Sequence, residues 1–248
     1  MYQIESRVRY SETDAEGFLT MTGIINYFQD CSIFHSEDCG VGVQWLKERH
    51  RAWMLSSWRI LSDRSPRFGE RIRISTWPYA FKGIYGYRNF AIQDEAGEYL
   101  VRADSIWFLS DTDTMLPVRV REEDVSAYGP CEAPLVMDKV PRKIRIPEYS
   151  ERKEPVLVTY HHIDTNHHVN NAQYVEMARQ AARPDCRVRE LRAEYKRAAV
   201  AGDLIVPQVS RTQDGDVVSL CSAAGEPYAV IWMAYADSEE TVSERQDV

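Results

Sequence analysis

The sequence has no long apolar run. None of its stretches approaches the ~18 consecutive apolar residues that a membrane-spanning helix needs. The first residues, MYQIESRVRY, also lack the apolar segment that marks a signal peptide. We therefore expect a protein that works in the cytoplasm and has no membrane partner.

Cysteine pairs with the spacing of a redox or metal motif are also missing. The chain has five cysteines, an odd number, and they are scattered without a CxxC pair. They are Cys31, Cys39, Cys131, Cys186 and Cys221. Because this distribution suggests neither a disulfide framework nor a zinc site, we expect reduced thiols and no bound metal.

A concentrated basic segment is the third feature that the sequence lacks. The formal net charge is −8, and the 30 lysines and arginines are spread along the chain. Proteins that bind duplex nucleic acid usually carry a basic stripe. The composition therefore argues against nucleic acid as the main partner, and an acidic partner would need a local basic patch.

What the sequence does contain is an internal repeat, and a repeat of this length decides the fold. YSETDAEGFLT begins at Tyr10, and YHHIDTNHHVN begins at Tyr160. These tyrosines lie 150 positions apart, as do Asp14 and Asp164. We infer two diverged copies of one fold.

Each copy begins with an amphipathic helix, in which apolar residues recur at three- and four-residue steps. They are Ile24, Tyr27, Phe28, Cys31 and Phe34 before Gly40, and Val169, Ala172, Val175, Ala178 and Ala182 before Pro184. Four strand-like runs follow each helix. They are WMLSSWRIL, RIRISTWPY, YRNFAIQD and YLVRADSIWFLS, then ELRAEYKRA, LIVPQVS, VVSLCSA and YAVIWMAYA. The pattern predicts an α+β fold in which each copy wraps an antiparallel sheet around one long helix.

The repeat divides the chain into four segments. Residues 1–125 form the first copy, and residues 154–239 form the second. Between them, residues 126–153 are predicted to be an extended linker because four prolines interrupt regular structure. These are Pro130, Pro134, Pro141 and Pro147. Residues 240–248 form a polar tail.

The two repeat signatures differ in the polar side chains that they retain. The second copy is polar at Asp164, Asn166, His168, Asn170 and Asn171. At the same offsets, the first copy has Asp14, Glu16, Phe18, Thr20 and Met21. If Val169 opens the second helix, the polar groups lie at the helix end that stabilises developing negative charge. The alternative is a polar loop with an Asn or Asp helix cap.

The string DTNHHVNN, followed by Tyr174, resembles the D-x-N-x-H-V-N-N signature of the fatty acyl-acyl carrier protein (acyl-ACP) thioesterases. This family comprises plant plastid enzymes and their bacterial relatives. Four further blocks resemble the family in the same order, which makes the match specific. They are residues 52–70, 74–90, 101–120 and 190–197. The resemblance therefore spans the chain from Tyr10 to Ala236.

This resemblance implies a double hotdog fold, in which each copy is a sheet wrapped around its helix. It also implies hydrolysis of fatty acyl-ACP to free fatty acid and holo-ACP without a cofactor. The first copy would shape the acyl tunnel, and the second would carry catalysis. Asn166 and His168 would orient the thioester carbonyl and the attacking water, and Asp164 would fix or activate that arrangement. Asn170 and Asn171 would cap the helix.

One element of the family pattern is missing. The family usually has Glu, and often Cys, after its E-Y-R-R segment, but Ala198 and Ala199 follow EYKR here. Glu194 cannot replace that carboxylate, because it lies four residues back, roughly 13 Å along a strand. We expect Asp164 to act as base or nucleophile. Another acid, or weak activity, is the alternative.

The other histidines of the signature have no predicted role in the reaction. His161 and His162 are adjacent, but no third ligand follows at zinc spacing, so they are expected to be exposed loop residues. His167 does not match the family histidine and is expected at the surface.

Two groups of residues are predicted to contact the substrate, whose phosphopantetheine arm carries the acyl chain. The wall of the acyl tunnel would include Met21, Ile24, Ile25 and Phe28. The acidic ACP would contact a basic cluster formed by Arg142, Lys143 and Arg145. The alternatives are ordinary core packing for the first group and a solvated face for the second.

Other functions stay open at this point. An acyl-CoA thioesterase would use the same chemistry on another carrier. Ala198 and Ala199 make a noncatalytic acyl-thioester binder or sensor credible. A hydroxyacyl thioester dehydratase would also use a His and a carboxylate, although its motif order differs. The chain could be a monomer or a homodimer.

Overall fold

The structure is a computed structural model and describes residues 1–236. The predicted polar tail, 240–248, lies outside the described residues. The chain forms two compact units, the first being Met1–Val140 and the second beginning at Pro141. The division falls inside the segment 126–153.

The first unit is an antiparallel sheet of five strands and one long helix. The strands are β1 (Tyr2–Arg7), β2 (Arg51–Ser62), β3 (Arg71–Lys82), β4 (Tyr85–Gln93) and β5 (Tyr99–Asp111). They pair in the order β1-β3-β4-β5-β2. The helices are α1 (Met21–Asp38), α2 (Val43–Glu48) and α3 (Glu122–Val125). The long helix α1 packs against β1 and β3.

The second unit repeats this arrangement with shorter elements. Its strands are β6 (Glu151–Arg152), β7 (Val156–Leu157), β8 (Val188–Tyr195), β9 (Leu204–Thr212), β10 (Gly215–Cys221) and β11 (Pro227–Tyr235). Both short strands pair with β9, and the order then runs β9-β10-β11-β8. The helix α4 (Asn171–Ala182) packs against β9, β10 and β11. The predicted α+β fold is confirmed, and so are all eight strand-like runs.

The helix α1 follows its predicted periodicity with one exception. Thr20 caps the helix by accepting the N–H of Gly23 at 3.0 Å. Of the predicted apolar residues, Ile24, Tyr27, Phe28 and Cys31 are buried. Phe34 is 50% exposed, so its predicted place in the core is wrong. His35 is buried instead and contacts Arg88 of β4 at 3.0 Å.

The prediction that Val169 opens the second helix is wrong. Asn170 is the N-cap, since its side-chain oxygen accepts the N–H of Ala172 at 2.9 Å, and the helix begins at Asn171. Val169 instead forms a β-bridge with Ile163, which closes the signature loop. The predicted capping role of Asn170 is confirmed.

Among residues 1–236, none of the helices combines the length and the apolar character that a membrane-spanning helix needs.

The proline-rich segment between the repeats is extended but anchored. Residues 129–150 contain no helix or strand. In the first unit, the N–H of Leu135 donates to Oδ1 of Asn89 at 2.9 Å. In the second unit, the N–H of Ile144 donates to Oε1 of Glu194 at 3.0 Å. Each unit therefore holds its own part of the segment through a side chain.

Candidate active site

The signature of the second repeat folds into a tight loop around Asp164. The N–H of Asp164 donates to the carbonyl of His168 at 2.8 Å, and the N–H of His167 donates to the carbonyl of Asp164 at 3.0 Å. Oδ1 of Asp164 accepts the N–H of Asn166 at 2.8 Å and that of His168 at 3.5 Å. One carboxylate oxygen therefore fixes the loop backbone.

The first repeat builds the same loop around Asp14. Its Oδ1 accepts the N–H of Glu16 at 3.0 Å and that of Phe18 at 2.9 Å. Gly17, with a φ of 81°, stands at the position of His167, whose φ is 62°. The loop therefore forms in both repeats, and its backbone does not require the polar side chains of the second.

His168 is the residue that most clearly separates the two loops. Its Nδ1 is buried and has no hydrogen-bond partner among the described residues. Phe18, at the same position in the first repeat, is only 2% exposed and lies under the guanidinium of Arg67 at 4.6 Å. A buried nitrogen without a partner is destabilising, and a bound ligand can satisfy it. Asn166 is exposed at the tip of the same loop.

The two alanines that replace the family's acidic residue and cysteine lie beside this loop. The sequence predicts a strand that continues to Ala198, but the strand β8 ends at Tyr195. The next two N–H groups both donate to the carbonyl of Tyr228, at 2.8 and 3.2 Å, and the chain turns. Ala199 then accepts the N–H of Val169 on its carbonyl at 2.9 Å. The residue type that the family pattern expects is therefore missing next to the signature loop.

Glu194 does not supply the missing carboxylate. It is 5% exposed and accepts the N–H of Ile144. Its other oxygen forms an ion pair with Lys196. Both oxygens are therefore engaged, as expected for a structural carboxylate.

The predicted acyl-binding residues lie in the core of the first unit. Met21, Ile24, Ile25 and Phe28 are between 0% and 6% exposed. The ring of Phe28 lies 5.1 Å from that of Phe90 and 5.9 Å from that of Trp58. Such burial suits both core packing and a tunnel wall.

The neighbouring histidines lie in a short 3-10 helix, Tyr160–His162, and bond to its N-cap residue, Thr159. Nδ1 of His162 accepts the N–H of Thr159 at 3.0 Å, and Nδ1 of His161 hydrogen-bonds the hydroxyl of Thr159 at 2.8 Å. Partial burial and the adjacent His161 lower the pKa of His162. Within residues 1–236, no group of three His, Cys, Asp or Glu side chains is arranged to hold a metal ion.

Sequence reasoning gave Tyr174 no role, but the structure places its hydroxyl at the site. Tyr174 is 3% exposed, and its hydroxyl oxygen accepts the N–H of Ala199 at 2.8 Å. The signal was present in the repeat, because the equivalent residue of the first copy is Ile24. A polar group at an otherwise apolar helix position marks a difference between the copies.

The sequence of this chain is similar to those of known acyl-ACP thioesterases. The family model of the acyl-ACP thioesterase N-terminal domain matches residues 1–128. A chloroplast acyl-[acyl-carrier-protein] hydrolase from Cuphea viscosissima is 24% identical over 192 residues, which cover 72% of this chain and 46% of that protein. A chloroplast palmitoyl-acyl carrier protein thioesterase from Cuphea hookeriana is 23% identical over 193 residues, with the same coverage. The chain spans about half the length of these curated relatives.

Solved structures resemble the chain over nearly its whole described length. An acyl-ACP thioesterase from Bacteroides thetaiotaomicron superimposes with a TM-score of 0.85 at 23% identity, covering 94% of this chain and 97% of that one. A 12:0-ACP thioesterase from Umbellularia californica gives a TM-score of 0.80 at 18% identity, covering 95% and 96%. This likeness establishes the double hotdog fold.

Proposed function

Because the chain belongs to the acyl-ACP thioesterase family, we propose that it hydrolyses fatty acyl-ACP to free fatty acid and holo-ACP. The observation that carries the proposal is the Asp164 loop, where Nδ1 of His168 is buried without a partner and the equivalent loop holds Phe18. The reaction needs no cofactor. We assign it to fatty acid synthesis in the cytoplasm, where the five free cysteines would stay reduced.

The reaction adds a water molecule to the carbonyl carbon of the thioester. The carbonyl oxygen takes up negative charge, and the bond to sulfur then breaks as the charge returns. The proton that water loses ends on the leaving pantetheine sulfur. We assign the orientation of the carbonyl and the water to Asn166 and His168, whose backbones are fixed by the same carboxylate.

A base must take the proton from water and return it to sulfur. Ala198 and Ala199 provide none, and Glu194 is engaged elsewhere. Oδ1 of Asp164 holds the loop, so we assign the proton transfer to its other carboxylate oxygen. Asp164 therefore combines a structural and a catalytic role in this proposal.

We assign catalysis and acyl-chain binding to different repeats. The second carries the polar loop, and the first holds the acyl chain along the buried face of α1. Met21, Ile24, Ile25 and Phe28 form that face. The favourable free energy of burying a chain there is about 0.8 kcal/mol for each methylene group. The second repeat offers a shorter helix, Asn171–Ala182, and so less apolar length.

We propose that the acidic carrier docks on Arg142, Lys143 and Arg145. All three are exposed, whereas Ile144 between them is 5% exposed and packs with Val217 and Val230. The anchored isoleucine holds the flanking cations on the surface of the second unit. A fixed basic cluster raises the rate of encounter with an acidic protein.

Charge reversal tests this surface. We expect Arg142→Glu, Lys143→Glu and Arg145→Glu together to raise KM for acyl-ACP by about tenfold, because opposite charges no longer steer the encounter. The values of kcat and of KM for acyl-pantetheine should not change. The matched control reverses three exposed cations elsewhere, Lys47, Arg119 and Arg189. An unchanged KM for acyl-ACP in the first variant would remove the cluster from the account.

A product assay separates hydrolysis from the other functions. Purified protein is incubated with acyl-ACPs and acyl-CoAs from C8 to C18, and free thiol and free fatty acid are measured. The proposal expects both products in equal amounts, with acyl-ACP preferred. Preference for acyl-CoA would indicate the other carrier, and an enoyl product without free thiol would indicate a dehydratase. Stoichiometric binding without either product would indicate a sensor.

A further inference from the structure

The turn that carries Ala199 is built the same way in both repeats. In the second repeat, the carbonyl of Ala199 accepts the N–H of Val169 at 2.9 Å. In the first repeat, the carbonyl of Pro66 accepts the N–H of Leu19 at 2.8 Å. Before each turn, two consecutive N–H groups share one carbonyl, that of Tyr228 or that of Leu100. Pro66 and Ala199 are therefore equivalent residues.

The turn residue and the equivalent helix residue both differ between the two repeats. Pro66 has no N–H, and the equivalent helix position in that repeat is Ile24. Ala199 has an N–H, and the helix residue is Tyr174, whose hydroxyl oxygen accepts it at 2.8 Å. Because the first repeat makes the turn with an apolar pair, the fold itself does not require the tyrosine hydroxyl.

The hydrogen of the Tyr174 hydroxyl is not used in the contact with Ala199. A tyrosine hydroxyl can accept and donate at once, and its oxygen already accepts from Ala199. Among residues 1–236, the Tyr174 hydroxyl accepts the N–H of Ala199 and donates no hydrogen bond of its own. Burial raises the pKa of Tyr174 to about 12, so the hydroxyl stays protonated at neutral pH. The site therefore holds a buried and fixed donor.

This donor belongs to the same small region as the signature loop. The carbonyl of Ala199 accepts the N–H of Val169, the residue that directly follows His168. Tyr174 lies in the first turn of α4, close after the cap residue Asn170. The region thus combines a partnerless nitrogen of His168 with an uncommitted hydroxyl hydrogen.

We propose that Tyr174 is a further catalytic residue, whose hydroxyl donates a hydrogen bond to the thioester carbonyl oxygen as this becomes an oxyanion. The inference rests on the proposed hydrolysis and adds a donor to it. The N–H of Ala199 orients the hydroxyl before substrate binds. The hydrogen stays on Tyr174 throughout, so the proton from water still ends on the leaving sulfur. A donor fixed in advance acts mainly on the transition state.

The first repeat supplies the variant that tests this proposal. Tyr174→Ile combined with Ala199→Pro transfers the Ile24 and Pro66 pair into the second repeat and leaves no unsatisfied N–H. We expect a folded protein whose kcat on acyl-ACP falls about 100-fold, while KM changes less than about threefold. Tyr174→Phe is the second variant, with a similar loss of kcat. Tyr235→Phe is the control, because its hydroxyl donates to Asp216 at 3.0 Å, away from the loop.

The outcomes separate the proposal from a structural role and from the proposed function. A double variant with wild-type kcat would show that the hydroxyl only satisfies Ala199 and would overturn the inference, while the thioesterase function would stand. If the double variant does not fold, Tyr174→Phe decides: a wild-type kcat overturns the inference, and a loss confined to kcat supports it. A wild-type protein without turnover would overturn both.

Discussion

Replacing Asp164 by Asn should lower kcat for acyl-ACP hydrolysis by about 100-fold or more and leave the melting temperature nearly unchanged. The amide oxygen of Asn can still accept the N–H groups of Asn166 and His168, because Asn forms the same type of turn as Asp. The substitution therefore removes the negative charge and the base but keeps the loop. General base catalysis contributes about 10²- to 10⁴-fold.

The first repeat provides the matched control for this variant. Asp14 holds its loop through the same two backbone contacts, to Glu16 and Phe18. Asp14→Asn should change neither kcat nor stability by a measurable amount. Kinetics and thermal unfolding of both variants check this pair. If Asp164→Asn turned over like the wild type, Asp164 would be a purely structural residue and the base would lie elsewhere.

Replacing Arg183 by Met should reduce the free energy of unfolding by about 3 kcal/mol. Asp216 is fully buried, and its carboxylate oxygens accept hydrogen bonds from Nε and Nη2 of Arg183 at 2.9 and 3.2 Å. The hydroxyl of Tyr235 also donates to it. Without the guanidinium of Arg183, the buried carboxylate of Asp216 loses its counter-charge and must be protonated or exposed. Urea denaturation measures the change.

The double variant shows whether this loss comes from the unpaired charge. Arg183→Met combined with Asp216→Val removes both charges and replaces them with apolar groups, so it should recover most of the lost stability. A loss below about 0.5 kcal/mol for Arg183→Met alone would contradict the account. In the first repeat, the buried Arg88 of β4 contacts a neutral His35, whose pKa burial and Arg88 lower to about 4.

The fold was predictable from the sequence because the repeat and the periodicity are local signals. The spacing of Asp14 and Asp164 identified two copies, and all eight strand-like runs are strands. The strand β1 was missed because its six residues alternate weakly, with only Ile4 clearly apolar. The anchoring of Leu135 and Ile144 was also missed, since each depends on a side chain far away in the sequence.

The candidate site was predictable in its residue types but not in its geometry. The comparison of Phe18 with His168 identified the polar repeat, and the burial of Nδ1 now gives that difference a physical meaning. Val169 was placed in the helix because it continues the apolar periodicity, whereas the Asp164 loop draws it into a β-bridge. The contact of Tyr174 with Ala199 needed the turn after β8, which no local pattern predicts.

The most direct test of the central claim compares the wild type with His168→Ala on acyl-ACP. Release of holo-ACP thiol and of free fatty acid is followed for both proteins at the same substrate concentrations. The account predicts turnover by the wild type with equal amounts of both products, and a loss of about 100-fold or more in the variant. A wild type that binds acyl-ACP without releasing either product, or a variant as active as the wild type, would contradict it.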